Sequence, residues 1–81
     1  MSLTLTDAKR TILALLADKP RHGYALASEV GVQGSTMYEH LQQLEGAGYV
    51  TSHEDGRRRM YKLTRRGELT VEADQIGDST G

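Results

Sequence analysis

Apolar residues recur at Leu5, Ala8, Ile12, Leu15 and Leu16, the spacing of one face of an α-helix. Thr6 is placed to cap that helix, and Asp7 sets a carboxylate at the positive end of its dipole. The pattern predicts a first helix from about Asp7 to Asp18. Lys19-Pro20 closes it, because Pro disfavours helical geometry in the residue before it. Pro20 to His22 reads as short and extended. Gly23 opens a second helix, about Tyr24 to Val30, with Leu26, Ala27 and Val30 inward, and Gly31 suits the left-handed position that ends it. After a tight turn, Ser35 or Gln33 caps a third helix to about Glu45, with Met37, Leu41 and Leu44 as its inward stripe.

Beyond Gly46 and Gly48 the period changes. Tyr49 to Glu54 and Arg57 to Leu63 read as two strands around an Asp55-Gly56 turn, the dipeptide favoured in tight hairpins. Alternation puts Arg59, Tyr61 and Leu63 on one face and Arg58, Met60 and Lys62 on the other, with Tyr61 and Leu63 toward the core. Thr64 caps a fourth helix with Leu69, Ala73 and Ile76 as its apolar stripe, and residues 77–81 read as a disordered tail. The expected fold is mainly α with a small β-hairpin: a winged helix-turn-helix over residues 1–76, with a three-helix core, a wing and an added C-terminal helix.

Polar residues on the third helix sharpen this picture. Ser35, Glu39 and Gln42 lie nearly opposite the inward stripe, Thr36 and Gln43 on its shoulder, and Tyr38 on its flank. Such a face, without lysine or arginine, presents hydrogen-bonding groups of the kind that meet base edges. The competing reading is a plain solvated surface, although a face selected only for solubility more often carries Lys and Glu. The second hairpin strand begins with Arg57, Arg58 and Arg59 and continues to Lys62, a cationic tip suited to a phosphate backbone. Its competing role is a charged edge that discourages strand pairing between molecules.

The net charge is −1, so the chain is not uniformly basic. Residues 57 to 66 hold no acid and residues 67 to 81 no base, a division that concentrates positive potential on the wing. With 81 residues there is room for one domain, and a core this small gains from oligomerisation. No cysteine is present, which fits a reducing cytoplasm, and the first residues lack the pattern of a signal peptide.

Several segments resemble the DNA-binding domain of PadR-type transcriptional regulators. They are ILALL at 12–16, HGYALA at 22–27, STMYEHLQQLEGAGYV at 35–50 and GRRRMYKLTRRG at 56–67. The resemblance implies that the third helix enters the major groove. Ser35, Thr36, Glu39, Gln42 and Gln43 would then read bases, and the wing residues Arg57, Arg58, Arg59 and Lys62 would meet phosphate or the minor groove. It also implies that Tyr38 and the HGY element, His22, Gly23 and Tyr24, lie beside the DNA backbone. Members of that family carry a longer C-terminal region that makes the dimer and often an effector pocket. Only a short helix follows Thr64 here, so no effector pocket carries over.

A homodimer is expected on separate grounds, because one short helix-turn-helix reads few base pairs. Leu3 and Leu5 at one end, and Leu69, Val71, Ala73 and Ile76 at the other, offer apolar surface for it. The alternative is that Leu69, Ala73 and Ile76 cover the first helix of their own chain. An enzyme is not expected. Ser52, His53, Glu54 and Asp55 hold the residue types of a triad but are consecutive, so on a strand they diverge. The three histidines have no metal-ligand spacing, and no cofactor motif is present. The runner-up function is a winged-helix module that binds an acidic protein partner.

Overall fold

The computed structural model describes residues 7–80, with side chains described as far as Ala73. Its elements run α1 (Asp7–Asp18), β1 (Arg21–His22), α2 (Gly23–Val30), α3 (Gly34–Gly46), β2 (Val50–Asp55), β3 (Arg58–Leu63) and α4 (Arg65–Thr80). This is the expected winged helix-turn-helix with a fourth helix. Thr6, the expected cap of α1, lies outside the described residues. The α4 backbone runs on to Thr80, past the Gly77 where a tail was expected to begin.

The three helices α1 to α3 enclose one core. Ile12, Leu13 and Leu16 come from α1, Leu26 and Ala27 from α2, and Met37, Leu41 and Leu44 from α3. Tyr49, Val50 and Tyr61 close it from the sheet. Leu13 is only 1% exposed, although the stripe read from the sequence passed it by. Helix α1 is covered by α2 and by α4, so its buried arc is wider than a single stripe. The turn between α2 and α3 follows from Gly31, whose φ of 82° lets its N–H donate back to the Ala27 carbonyl at 2.9 Å.

The sheet has three strands in the order β1-β3-β2, all antiparallel neighbours. Strand β1 pairs Arg21 with Tyr61 and His22 with Met60, so the extended Pro20–His22 link becomes an edge strand. Arg21 is fixed by several partners. Its Nε donates to the Leu15 carbonyl at 3.1 Å, and its guanidinium meets Asp18 at 3.2 Å and Glu29 at 2.8 Å. It thereby ties the end of α1 to α2.

The hairpin turn differs from the sequence reading by one residue. Asp55 pairs with Arg58, so the turn residues are Gly56 and Arg57 rather than Asp55 and Gly56. Gly56 has φ 65°, and no residue other than glycine has positive φ among those described. Glycine alone at the first central position is the sign pattern of a type II′ turn; the type I′ turn on Asp55-Gly56 would need positive φ at both. The change moves each cross-strand partner by two positions. Facing is therefore preserved, and Tyr61 remains inward at 4% exposure.

Helix α4 is locked to the start of the sheet by Thr64 and Gly67. The Thr64 hydroxyl accepts from the Gly67 N–H at 3.1 Å and donates to the Gly48 carbonyl at 2.5 Å. The Thr64 N–H donates to the Tyr49 carbonyl at 3.0 Å. Gly67 sits against that same carbonyl: a Cβ there would fall 2.2 Å from the Tyr49 oxygen. The Arg66 guanidinium lies over the Tyr49 ring, 5.2 Å from its centroid.

Candidate nucleic-acid interface

On α3, burying Met37, Leu41 and Leu44 forces the opposite arc outward. Ser35, Glu39, Gln42 and Gln43 are exposed and Thr36 is half-buried. None of these five side chains has a hydrogen-bond partner among the described residues. Their donors and acceptors are thus available to a ligand. Gln33 stands at the N-cap without a side-chain bond, so α3 begins with its first N–H groups uncapped by any side chain.

A groove of about 540 Å³ runs between α2, α3 and the wing. Gly34, Met37, Tyr38 and Leu41 form its α3 wall, and Arg57, Arg58, Arg59 and Tyr61 its wing wall. His22, Gly23 and Tyr24 line it as well. Part of α3, the start of α2 and the three wing arginines thus line one groove, whereas Ser35, Thr36, Glu39, Gln42, Gln43 and Lys62 are not among its lining residues. Tyr24 is 84% exposed and Tyr38 54%, both unusual for large aromatic residues in a small domain. Gly23 is half-buried beneath the Tyr61 ring, which leaves its backbone less open than that of Tyr24.

The cations of the wing divide into two groups. Arg57, Arg58 and Lys62 are exposed, and their side chains pair with nothing among the described residues. Arg59 is held: its Nη1 donates to Ser52 Oγ at 3.1 Å, and Ser52 Oγ donates to Glu45 Oε2 at 2.9 Å. His22 is engaged as well, with Nε2 at 3.0 Å from Asp55 Oδ2. Sequence reasoning missed the parts of Glu45, Ser52 and Asp55, since no local pattern marks a contact between separate elements. Tyr61 sits among these groups. Burial pushes its phenol above the ordinary value of 10.0, the charges of Glu45 and Tyr38 add to the rise, and Arg59 opposes it. The phenol stays neutral at physiological pH.

The consecutive Ser52, His53, Glu54 and Asp55 do not assemble: Ser52 turns to Glu45 and Asp55 to His22. Of the residues expected at a dimer contact, Leu69 is 48% exposed and Ala73 is exposed. Val71 instead packs against the core of its own chain, because it lies two positions from Leu69 and so on another side of α4. Leu3, Leu5 and the Ile76 side chain lie outside the described residues. No helix among the described residues is long and apolar enough to cross a membrane.

Comparison with solved structures gives the same architecture. RosR of H. salinarum superposes with a TM-score of 0.88 at 29% identity, covering 94% of this chain and 76% of its own. A complex of S. aureus MepR with DNA matches at 0.85 and 24% identity, covering 94% of this chain and 67% of its own. A double mutant of Lactococcus lactis ZitR matches at 0.86 and 18% identity, covering 96% and 56%. The chain thus spans little more than half the length of ZitR. No curated protein matches the chain significantly. MepR is a transcription regulator of a multidrug efflux pump, and the matching family is one of transcriptional regulators rather than enzymes. The sequence model of one family spans residues 12–73, from the buried face of α1 through the wing into α4, and by that match the chain belongs to the Transcriptional regulator PadR-like family.

Proposed function

We propose that this chain binds a specific double-stranded DNA sequence as a homodimer in the cytoplasm and represses transcription by occupying a promoter. One observation carries the reading. The unpartnered cations Arg57 and Arg58 line a groove that α3 also lines through Met37, Tyr38 and Leu41, and the same helix carries an unpartnered polar face outside that groove, so charge for phosphates and hydrogen bonds for base edges belong to adjoining elements. In this reading Ser35, Thr36, Gln42 and Gln43 meet bases. Glu39 accepts from a cytosine amino group or repels phosphate in wrong registers. Tyr24 and Tyr38, with the His22-Gly23 backbone, line the sugar-phosphate path. The similar fold of MepR in its complex with DNA supports this docking.

The test is selection of bound fragments from a random DNA pool, followed by affinity measurement against competitor DNA. A specific binder enriches one motif and loses affinity steeply with salt. Enrichment of no motif refutes the proposal and favours a module for an acidic protein partner. The dimer is tested by light scattering. A full-length monomer at about tens of micromolar refutes it, and a dimer that survives truncation after Arg66 moves the contact away from α4.

A further inference from the structure

Beyond the β1–β3 pairing, two polar bridges fasten the wing to the helical body, and each ends on an acid. Asp55 Oδ2 meets His22 Nε2 at 3.0 Å, joining the end of β2 to the residue before α2 across 33 positions. Glu45 Oε2 accepts from Ser52 Oγ at 2.9 Å, and the same Oγ accepts from Arg59 Nη1 at 3.1 Å. This second bridge links the last turn of α3 to β3 through β2. Apolar packing does not do this work at the tip: burial along β2 falls from Val50 outward until His53, Glu54 and Asp55 are exposed. A short hairpin without apolar support is marginal and samples many angles.

Counting charge alone, carboxylates beside a DNA-binding wing weaken binding by repelling phosphates. We propose the opposite sign for Asp55 and Glu45: both are positioning residues that raise DNA affinity. They hold the wing at one angle to α3, so Arg57 and Arg58 reach the backbone of the same duplex without a further ordering cost. Arg59 belongs to the bridge and not to the phosphate contacts. The inference rests on the DNA-binding reading above.

The experiment measures affinity and its salt dependence by fluorescence anisotropy, using the full chain and the duplex selected by the wild type. Asp55→Ala removes the charge and the acceptor, whereas Asp55→Asn removes the charge and keeps an oxygen acceptor for His22. Asp55→Ala is expected to weaken binding roughly five- to tenfold, the scale of one partly exposed charge-assisted contact, with Asp55→Asn within about twofold of wild type. In a His22→Ala background Asp55→Ala adds nothing further. Glu45→Ala and Glu45→Gln repeat the pattern at the second bridge, an independent arm if an Asp55 variant fails to fold by circular dichroism. Arg59→Ala weakens binding while leaving the slope of log affinity against log salt unchanged, because no phosphate contact is lost. The inference is overturned if the alanine variants bind as tightly as wild type or tighter, if Asn and Gln weaken as much as Ala, or if Arg59→Ala lowers the slope by about one unit. Wild type that selects no duplex overturns the DNA-binding reading and this inference with it. Wild type that binds, with variants that break the pattern, overturns this inference alone.

Discussion

Gly67→Ala tests how closely the wing and the fourth helix meet at their junction. Alanine is normally favoured over glycine inside a helix by about 1 kcal/mol, so helix propensity alone predicts stabilisation. The added Cβ would instead stand 2.2 Å from the Tyr49 carbonyl oxygen, 3.2 Å from its carbon and 3.0 Å from Leu63 Cδ2. The side-chain contact yields by a small rotation; the backbone contact does not. The Tyr49 carbonyl already accepts from the Thr64 N–H at 3.0 Å, and the Thr64 hydroxyl holds the neighbouring Gly48 carbonyl. Moving either segment strains the cap of α4 and shifts Tyr49, which is buried in the core. The net loss is about 2–3 kcal/mol, in the range of overpacked core sites. For a domain of this size that lowers the thermal midpoint by about 10–20 °C. Gly34→Ala is the control, since a Cβ there meets nothing within 4 Å, and it raises stability by about 0.5–1 kcal/mol. Thermal unfolding by circular dichroism reads both. A Gly67→Ala protein that melts within about 3 °C of wild type refutes the close approach.

Three further outcomes follow from the site. Arg57→Ala and Arg58→Ala each lower the slope of log affinity against log salt by about one unit with the preferred motif unchanged; unchanged slopes in both remove these residues from the phosphate contacts. Gln42→Ala and Gln43→Ala relax specificity at particular positions of the selected site, each lost bidentate contact costing about 1–3 kcal/mol of discrimination, and undiminished motifs in both variants refute base reading through them. The raised pKa of Tyr61 means that the folded state holds its proton more tightly than the unfolded chain. Its contribution is complete below the ordinary value of 10.0 and is lost as pH rises through the higher folded value. Tyr61→Phe therefore flattens the alkaline loss of stability in denaturant titrations above pH 10.0, and an identical loss in both proteins refutes the assignment.

The sequence by itself determined the helices, their caps and the facing of strand residues, all carried by short-range chemistry. The spacing of Met37, Leu41 and Leu44 built α3 and forced Ser35, Gln42 and Gln43 outward. Gly31 ended α2 and Thr64 capped α4, because each acts on backbone groups a few residues away. Tyr61 kept its inward face even with the turn displaced, since facing depends only on alternation along the strand. What the tertiary structure decided involves residues far apart in the chain. A two-residue β1 has no periodicity to read and exists because β3 is beside it. The turn settled on Gly56-Arg57 because Asp55 pairs with Arg58 and only glycine takes the positive φ. Leu13 and Val71 are covered by neighbouring elements that no helical stripe records. The role of Gly67 is likewise tertiary, because the Tyr49 carbonyl occupies the space a side chain there would need. Arg57, Arg58 and Arg59 are identical letters in a row. The fold separates them, because only Arg59 lies where Ser52 and Glu45 converge.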